Sequence, residues 1–422
     1  MDESRLPPVG RREFLKVAGA QTGVLLAGGC APALTRGSSD GPNIIVVGAG
    51  AFGAWTSLHL QRMGARVTMI DAYGPGNSRA TSGDETRGVR TAYGDNELWS
   101  RWASEAILRW KEWDEVFQRE LGQQVFFPTG DLILREEWEP FLEDTKKVWD
   151  TVGIRHAVLT PEEVAYRYPV IDLHEIGVAL HEEDAGVARA RAACQCVAET
   201  FRREGGRIVV ARAEPGRRRD GRISELWLST GETVSADLYV FACGPWLWKV
   251  FPEILGRKMR TPLGFVFYLG TPPGDERFSF PNIPSYNFPG VTGWPALPRD
   301  SRGFRVRTGG GQHGDPDRSD RWVPPEGHVR YRGFVAERFP LLADAPLLET
   351  RACHYEITSS REFMIAPHSQ LSNVWIVGGG NAEGFKFSPL IGEYAAGRVL
   401  GDEGDPELVA RFAIPTEEFE QG

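Results

Sequence analysis

The stretch Asn43-Ile44-Ile45-Val46-Val47-Gly48-Ala49-Gly50-Ala51-Phe52-Gly53 decides the fold. Its first five residues are a short continuous apolar run, the pattern of a parallel strand buried on both faces. Gly48, Gly50 and Gly53 follow at once as G-x-G-x-x-G. The spacing then predicts a helix over Ala54 to Met63, a stop at Gly64 and a second strand over Arg66 to Asp71. Gly48 permits a tight turn, Gly50 lets the backbone approach a pyrophosphate, and Gly53 allows close packing of helix on strand. The helix N-terminus then faces the phosphates. Asp71 stands where a carboxylate accepts both hydroxyls of an adenosine ribose. A lone G-x-G-x-x-G is weak; the strand–turn–helix–strand setting with its acidic residue makes this one specific. By itself it does not separate FAD from NAD.

The chain has 422 residues, 41% hydrophobic and 25% charged, with a formal net charge of −9. These are ordinary values for a globular chain, long enough to bury a large core without disulfides or metals. The mildly acidic balance argues against nucleic acid or an anionic membrane surface as the main partner. Five Cys are too few for a disulfide scaffold. The eight His are scattered, so the sequence offers no zinc-like ligand pair and no metal site is expected.

The N-terminus reads as an address. Gly10-Arg11-Arg12-Glu13-Phe14-Leu15-Lys16 resembles a twin-arginine export motif, and the apolar stretch Val17 to Gly29 suits a signal h-region. Ala27-Gly28-Gly29-Cys30 resembles a lipoprotein cleavage box. Residues 1–29 are therefore expected to be a signal peptide and 30–42 a flexible Gly/Ser/Pro tether. The protein would be exported by the twin-arginine translocase and be either periplasmic or a membrane-anchored lipoprotein, a lipid anchor on Cys30 being its one expected route to a membrane.

Further along, Asn77 to Gly94 is polar and Arg-rich, suited to cover an anionic ligand. Leu98 to Leu121 is helix-like, and its Trp99, Trp102, Trp110 and Trp113 read as core. Strand-like runs include Leu132-Ile133-Leu134, Arg207 to Val210, Leu238 to Gly244 and Trp375 to Gly380; Arg189 to Glu204 looks helical. Strands ending in Gly are scattered along the chain. An α/β architecture (α+β overall) is expected, with a Rossmann-like FAD-binding domain built from the discontinuous segments 43–122, 184–262 and 349–415. Segments 123–183 and 263–348, the latter rich in Pro and Gly, would form a β-rich substrate domain. Cys194 and Cys196 lie two apart on the expected helix and point to different faces, so they suit neither a mutual disulfide nor a metal.

From Asn43 to about Pro415 the sequence resembles the FAD-dependent amine-oxidising family of monomeric sarcosine oxidase and N-methyltryptophan oxidase, within the D-amino-acid-oxidase-like superfamily. Four segments carry the resemblance: Gly48 to Asp71; Asp84-Glu85-Thr86-Arg87-Gly88-Val89-Arg90-Thr91-Ala92-Tyr93-Gly94; Cys353-His354-Tyr355-Glu356-Ile357-Thr358 with Phe363 and Ile365; and Gly384-Phe385-Lys386-Phe387-Ser388. The resemblance implies FAD held covalently by a thioether to Cys353, with Phe52, Thr86, Gly379, Gly384 and Phe385 among the cofactor contacts. It implies that Arg90 and Lys386 anchor a substrate carboxylate, and that Arg87 lies by the flavin ring, where positive charge stabilises the reduced anion. The implied reaction is hydride transfer from a small secondary amine or amino acid to flavin N5. The resulting imine hydrolyses, and O₂ or another acceptor reoxidises the flavin.

Two departures stand out. Glu383 replaces a His that usually precedes the G-F-K-F run; it would repel a substrate carboxylate or pair with an ammonium, which makes sarcosine itself a poor substrate. In Gly303-Phe304-Arg305-Val306-Arg307, Arg305 takes the place of an O₂-activating Lys, with Arg307 as the other alignment. Arg cannot readily give up its proton, so weakened oxidase activity is expected. The alternatives are a NAD-dependent dehydrogenase and a non-catalytic exported flavin-fold binding protein.

Overall fold

The computed structural model describes residues 41–298, 302–311 and 313–420, all within one unit spanning Gly37–Gly422. The expected leader 1–29, Cys30 and the tether as far as residue 40 lie outside the described residues.

The opening apolar run forms the strand Asn43–Val47, followed by the helix Ala51–Arg62 and the strand Arg66–Asp71. The helix begins earlier than its apolar pattern suggests, because Gly50 already occupies the N-cap position. Side chains alternate along the strand. Ile44 and Val46 pack towards Trp55, Leu58 and Trp110, while Ile45 and Val47 pack towards Leu226, Leu228 and Phe241. Burial on both faces is why the run is continuously apolar.

These two strands lie in a six-stranded sheet ordered Met364–Pro367, Val374–Gly378, Leu238–Phe241, Asn43–Val47, Arg66–Asp71, Arg207–Val210. All its pairs are parallel except the first, which is antiparallel. The strands ending in glycine thus converge from distant parts of the chain. Helices Ala51–Arg62, Glu97–Leu121, Ala190–Arg203 and Gly384–Val399 contribute buried side chains to one shared core. The tryptophans of Glu97–Leu121 belong to that core, with the Trp55 and Trp113 rings 4.8 Å apart. Trp110 Nε1 also donates to the Lys386 carbonyl at 2.8 Å, fixing the first turn of the helix that carries the fourth motif.

A second sheet has eight strands, ordered Leu347–His354, Leu263–Leu269, Phe304–Thr308, Val291–Trp294, Ser285–Phe288, Asp131–Arg135, Val178–Glu182, His156–Leu159. The parallel pairing of Ser285–Phe288 with Asp131–Arg135 joins the two stretches expected to form the β-rich part. The edge strand Leu347–His354 also belongs here, so Cys353 stands on this sheet rather than on the six-stranded one. A helix that the sequence pattern does not suggest, Pro325–Arg338, covers the sheet, with Tyr331 and Val335 packed in one core with Phe265, Phe267 and Phe304.

Candidate active site

One cavity of about 550 Å³ runs from the glycine turn to the fourth motif. Its first part is a nucleotide cradle. Gly48 has φ +111°, and a Cβ there would meet the Ala242 carbonyl oxygen at 2.3 Å. A Cβ on Gly53 would meet the Gly48 carbonyl oxygen at 2.0 Å, so the helix can approach the strand only through glycine. Gly50 offers no side-chain cap to the helix Ala51–Arg62, and the first turn carries no acid, so the positive dipole end remains for an anion. The Ala51 amide donates to Ser82 Oγ at 3.2 Å. Asp71 accepts from the Ala49 and Tyr73 amides, each at 2.8 Å. Burial raises the Asp71 pKa, and these amides oppose that rise. A glycine turn, an uncapped helix start and a carboxylate at the end of the second strand fit an adenine dinucleotide. Gly53→Ala is expected to abolish its retention, read as loss of visible absorbance in purified protein whose thermal melt still shows a folded chain.

The middle of the cavity is walled by cations around one carboxylate. Asp84 is fully buried and accepts from Arg87 and, at 3.1 Å, from Arg305 Nη2. Burial alone would raise the Asp84 pKa, but the two guanidinium groups outweigh it and hold the carboxyl well below the usual range. Arg305 is 1% exposed and lies over the Trp294 ring, 3.8 Å from its centroid. Trp294 Nε1 in turn donates to Thr86 Oγ1 at 2.8 Å. Cys353 lies in the wall as a free thiol. Burial and Asp84 push its pKa up, against Arg87, Arg351 and Arg321.

At the far end Lys386, nearly buried, donates to Glu383 and, at 2.6 Å, to the Tyr93 hydroxyl. The Tyr93 hydroxyl reaches the same Glu383 oxygen, Oε2, at 3.2 Å. No described residue donates to Glu383 Oε1. Burial would raise the Glu383 pKa, but Lys386 and Arg90 prevail and keep it ionised. Burial lowers the Lys386 pKa, opposed by Glu383 and reinforced by Arg90. Arg90 faces Asp131 at 3.8 Å, and behind it Glu182 accepts the Thr91 amide at 2.9 Å.

Most residues singled out from the sequence line this cavity: Gly48, Gly50, Phe52, Asp71, Arg87, Arg90, Arg305, Cys353, Glu383, Gly384, Phe385 and Lys386. Gly53, Thr86 and Gly379 shape it from behind. Gly379 has φ +72°, and a Cβ there would stand 2.7 Å from Thr358 Cγ2. The sequence reading gave no role to Asp84, Trp294, Asp131 or Glu182. Asp84 left a trace, an acid three residues before Arg87. Asp131 and Glu182 left none, because only strand register makes them neighbours.

A glycine cradle on a doubly covered, mostly parallel sheet, opening into a cavity walled by a second sheet, defines a dinucleotide-dependent oxidoreductase. Residues 43–398 match the family described as FAD dependent oxidoreductase, and the chain belongs to it. Monomeric sarcosine oxidase from Arthrobacter sp. (strain TE1826) is 26% identical over 368 residues, covering 83% of this chain and 90% of that protein. N-methyl-L-tryptophan oxidase from Escherichia coli O7:K1 is 24% identical over 381 residues, covering 87% and 97%. Among solved structures, L-proline dehydrogenase from P. horikoshii superposes with a TM-score of 0.75 at 19% identity, covering 87% of this chain and 96% of that one. The family assigns FAD to the cradle and sets the nicotinamide alternative aside.

Proposed function

We propose that the protein oxidises the C–N bond of a secondary amine or amino acid, yielding an imine that hydrolyses to a carbonyl compound and a smaller amine. The observation that carries this reading is the continuity of one cavity from the nucleotide cradle to the Glu383–Lys386–Tyr93 cluster. FAD, when bound, supplies the hydride acceptor. Asp71 and the first turn of helix Ala51–Arg62 hold its nucleotide end. Arg87 and Arg305, both fixed by Asp84, supply positive charge to the middle of the cavity. Lys386 and Tyr93 orient Glu383 through Oε2, which leaves Oε1 to accept an N–H from the substrate amine. That contact places the nitrogen, and therefore the carbon beside it, at a fixed position.

Cys353 is the proposed covalent tether. It and Cys243 are the cavity-lining thiols among the described cysteines. Cys243 directs its sulfur to the Val47 carbonyl at 3.5 Å, at the end of the strand Asn43–Val47 in the nucleotide cradle, which leaves Cys353 beside Arg87 and Arg351. The same reading gives the flavin an electron acceptor other than O₂. Arg305 replaces a Lys at the position implied by the family and is held by Asp84 and Trp294. Two domains matching the two sheets, export by the twin-arginine route and lipidation of Cys30 complete the reading; they rest on sheet membership and on the order of Arg11-Arg12, Val17 to Gly29 and Cys30.

The test is anaerobic bleaching of the flavin by a panel of N-methyl and cyclic amino acids. Bleaching supports amine oxidation, and yellow protein that no amine reduces supports a flavin-fold binding protein instead. Acid precipitation of wild-type protein should leave the colour in the pellet, and Cys353→Ala should release it to the supernatant. O₂ uptake as fast as anaerobic bleaching would contradict the alternative acceptor.

A further inference from the structure

Among the described residues, eight cationic side chains line the cavity. Arg87 and Arg305 share Asp84, Arg90 faces Asp131, and Lys386 holds Glu383. Towards the nucleotide end, Arg212 pairs with Glu214, Arg218 with Glu253, and Lys249 with Asp315 and Asp317. Arg307 remains. It has no ion pair and no side-chain hydrogen bond to any described residue.

Its placement follows from the strand Phe304–Thr308. Phe304 and Val306 enter the core of the eight-stranded sheet, so Arg305 and Arg307, two apart, face the cavity. Arg305 finds Asp84; Arg307 does not. The Arg307 guanidinium lies instead 5.9 Å from the centre of the Tyr355 ring. A Cβ on Gly264, on the neighbouring strand two residues before Val266, the register partner of Arg307, would stand 3.5 Å from Arg307 Nη2 and 3.6 Å from the Tyr355 ring, so glycine there keeps the space in front of the pair open. Burial and the like charges of Arg305 and Arg87 disfavour the Arg307 cation, and Tyr355 and Glu383 only partly offset them. The half-buried Arg307 guanidinium therefore faces the cavity with no counterion from the described residues, open to an anion that enters.

We infer that Arg307, rather than Arg90 or Lys386, binds the substrate's carboxylate, so that the substrate is an amine bearing an anionic group. This rests on the amine-oxidising reading of the same site. Arg90 and Lys386 already carry carboxylates of the chain itself, and a second anion beside Asp131 and Glu383 would be repelled. Arg307 offers a planar two-pronged donor face to a carboxylate, while Glu383 Oε1 takes the amine. The two recognition groups carry opposite charge, matching a zwitterionic amino acid.

The test uses FAD-loaded protein and simple probe pairs. Acetate, propionate and benzoate are each titrated against their amides and followed by perturbation of the flavin spectrum. The parent should bind at least one acid about tenfold to a hundredfold more tightly than its amide, the range of one charge-assisted contact. Arg307→Gln should erase that preference, Arg307→Lys should restore part of it, and Arg90→Gln should leave more of it than Arg307→Gln does. Visible absorbance and the thermal melt establish that each variant holds its flavin and its fold. Three results would overturn the inference: no acid preference in the parent, a preference that survives in Arg307→Gln, or an equal weakening of acids and amides with a shifted flavin potential, which would make the flavin itself the partner of Arg307. Failure of the broader reading looks different, because there no amine bleaches the flavin while acid binding still reports on Arg307.

Discussion

Asp84→Asn is expected to destabilise the protein by about 3–5 kcal/mol and to weaken flavin retention, although the change removes only a charge. Asp84 is completely buried and is the shared counterion of Arg87 and Arg305. Its Oδ1 also accepts the Glu85 amide at 2.8 Å, and the Tyr268 hydroxyl lies 3.4 Å away. An amide can replace these neutral contacts but cannot balance two guanidinium groups. Arg305 has little slack, since its Nε and Nη1 already lack partners among the described residues. Denaturant midpoints and FAD titration of the apoprotein measure the two effects. Asp84→Asn/Arg305→Met should recover most of the stability, because an apolar side chain can lie on Trp294 without needing a counterion. A single variant within about 1 kcal/mol of wild type, the scale of a surface ion pair, would show that the cluster is wetter than its burial indicates.

The nucleotide half of this molecule is legible in the sequence because its determinants are local. A buried strand, a glycine turn and a helix start lie within about twenty residues, and Gly48 and Gly53 are required by backbone contacts with the adjoining strand and with the turn itself. The second half is not legible in that way. Its sheet is closed by pairing Asp131 with Ser285, far apart along the chain, and no local pattern encodes that register. The helix Pro325–Arg338 escapes an apolar-stripe reading because two of its four buried positions are Gly327 and Arg338; only Tyr331 and Val335 look like core. The two arginines of Phe304–Thr308 show the same limit at the site. Sequence alternation places both on one face, but their difference depends on Asp84, which meets one and not the other. Motif comparison draws attention to Arg305, whereas the structure finds that charge already spent within the wall.

The largest pH-dependent effect is expected at Glu182. Its side chain is fully buried, its register partner across the sheet is Asp131, and its Oε1 has no described partner. Burial, reinforced by Asp131 and opposed by the Thr91 amide and Arg90, pushes its pKa up to about 8 from an ordinary 4.5. In the unfolded chain the carboxyl loses its proton near the ordinary value, whereas the folded chain retains it to about 8. Between those two pH values the folded state binds the extra proton, so stability falls as pH rises; above about 8 the loss is complete and constant. At 1.36 kcal/mol per pKa unit, the shift sets an upper limit of roughly 5 kcal/mol. Glu182→Gln keeps an acceptor for the Thr91 amide and removes the titration. The variant should therefore resemble wild type near pH 4 and become progressively more stable than it through pH 8, with the gap levelling beyond. Asp131, whose Oδ2 also lacks a described partner, would gain a permanent amide neighbour in place of a proton-bearing one. Melting temperatures at one-unit pH intervals decide the matter, and a gap independent of pH would mean that Glu182 is already ionised in the folded protein.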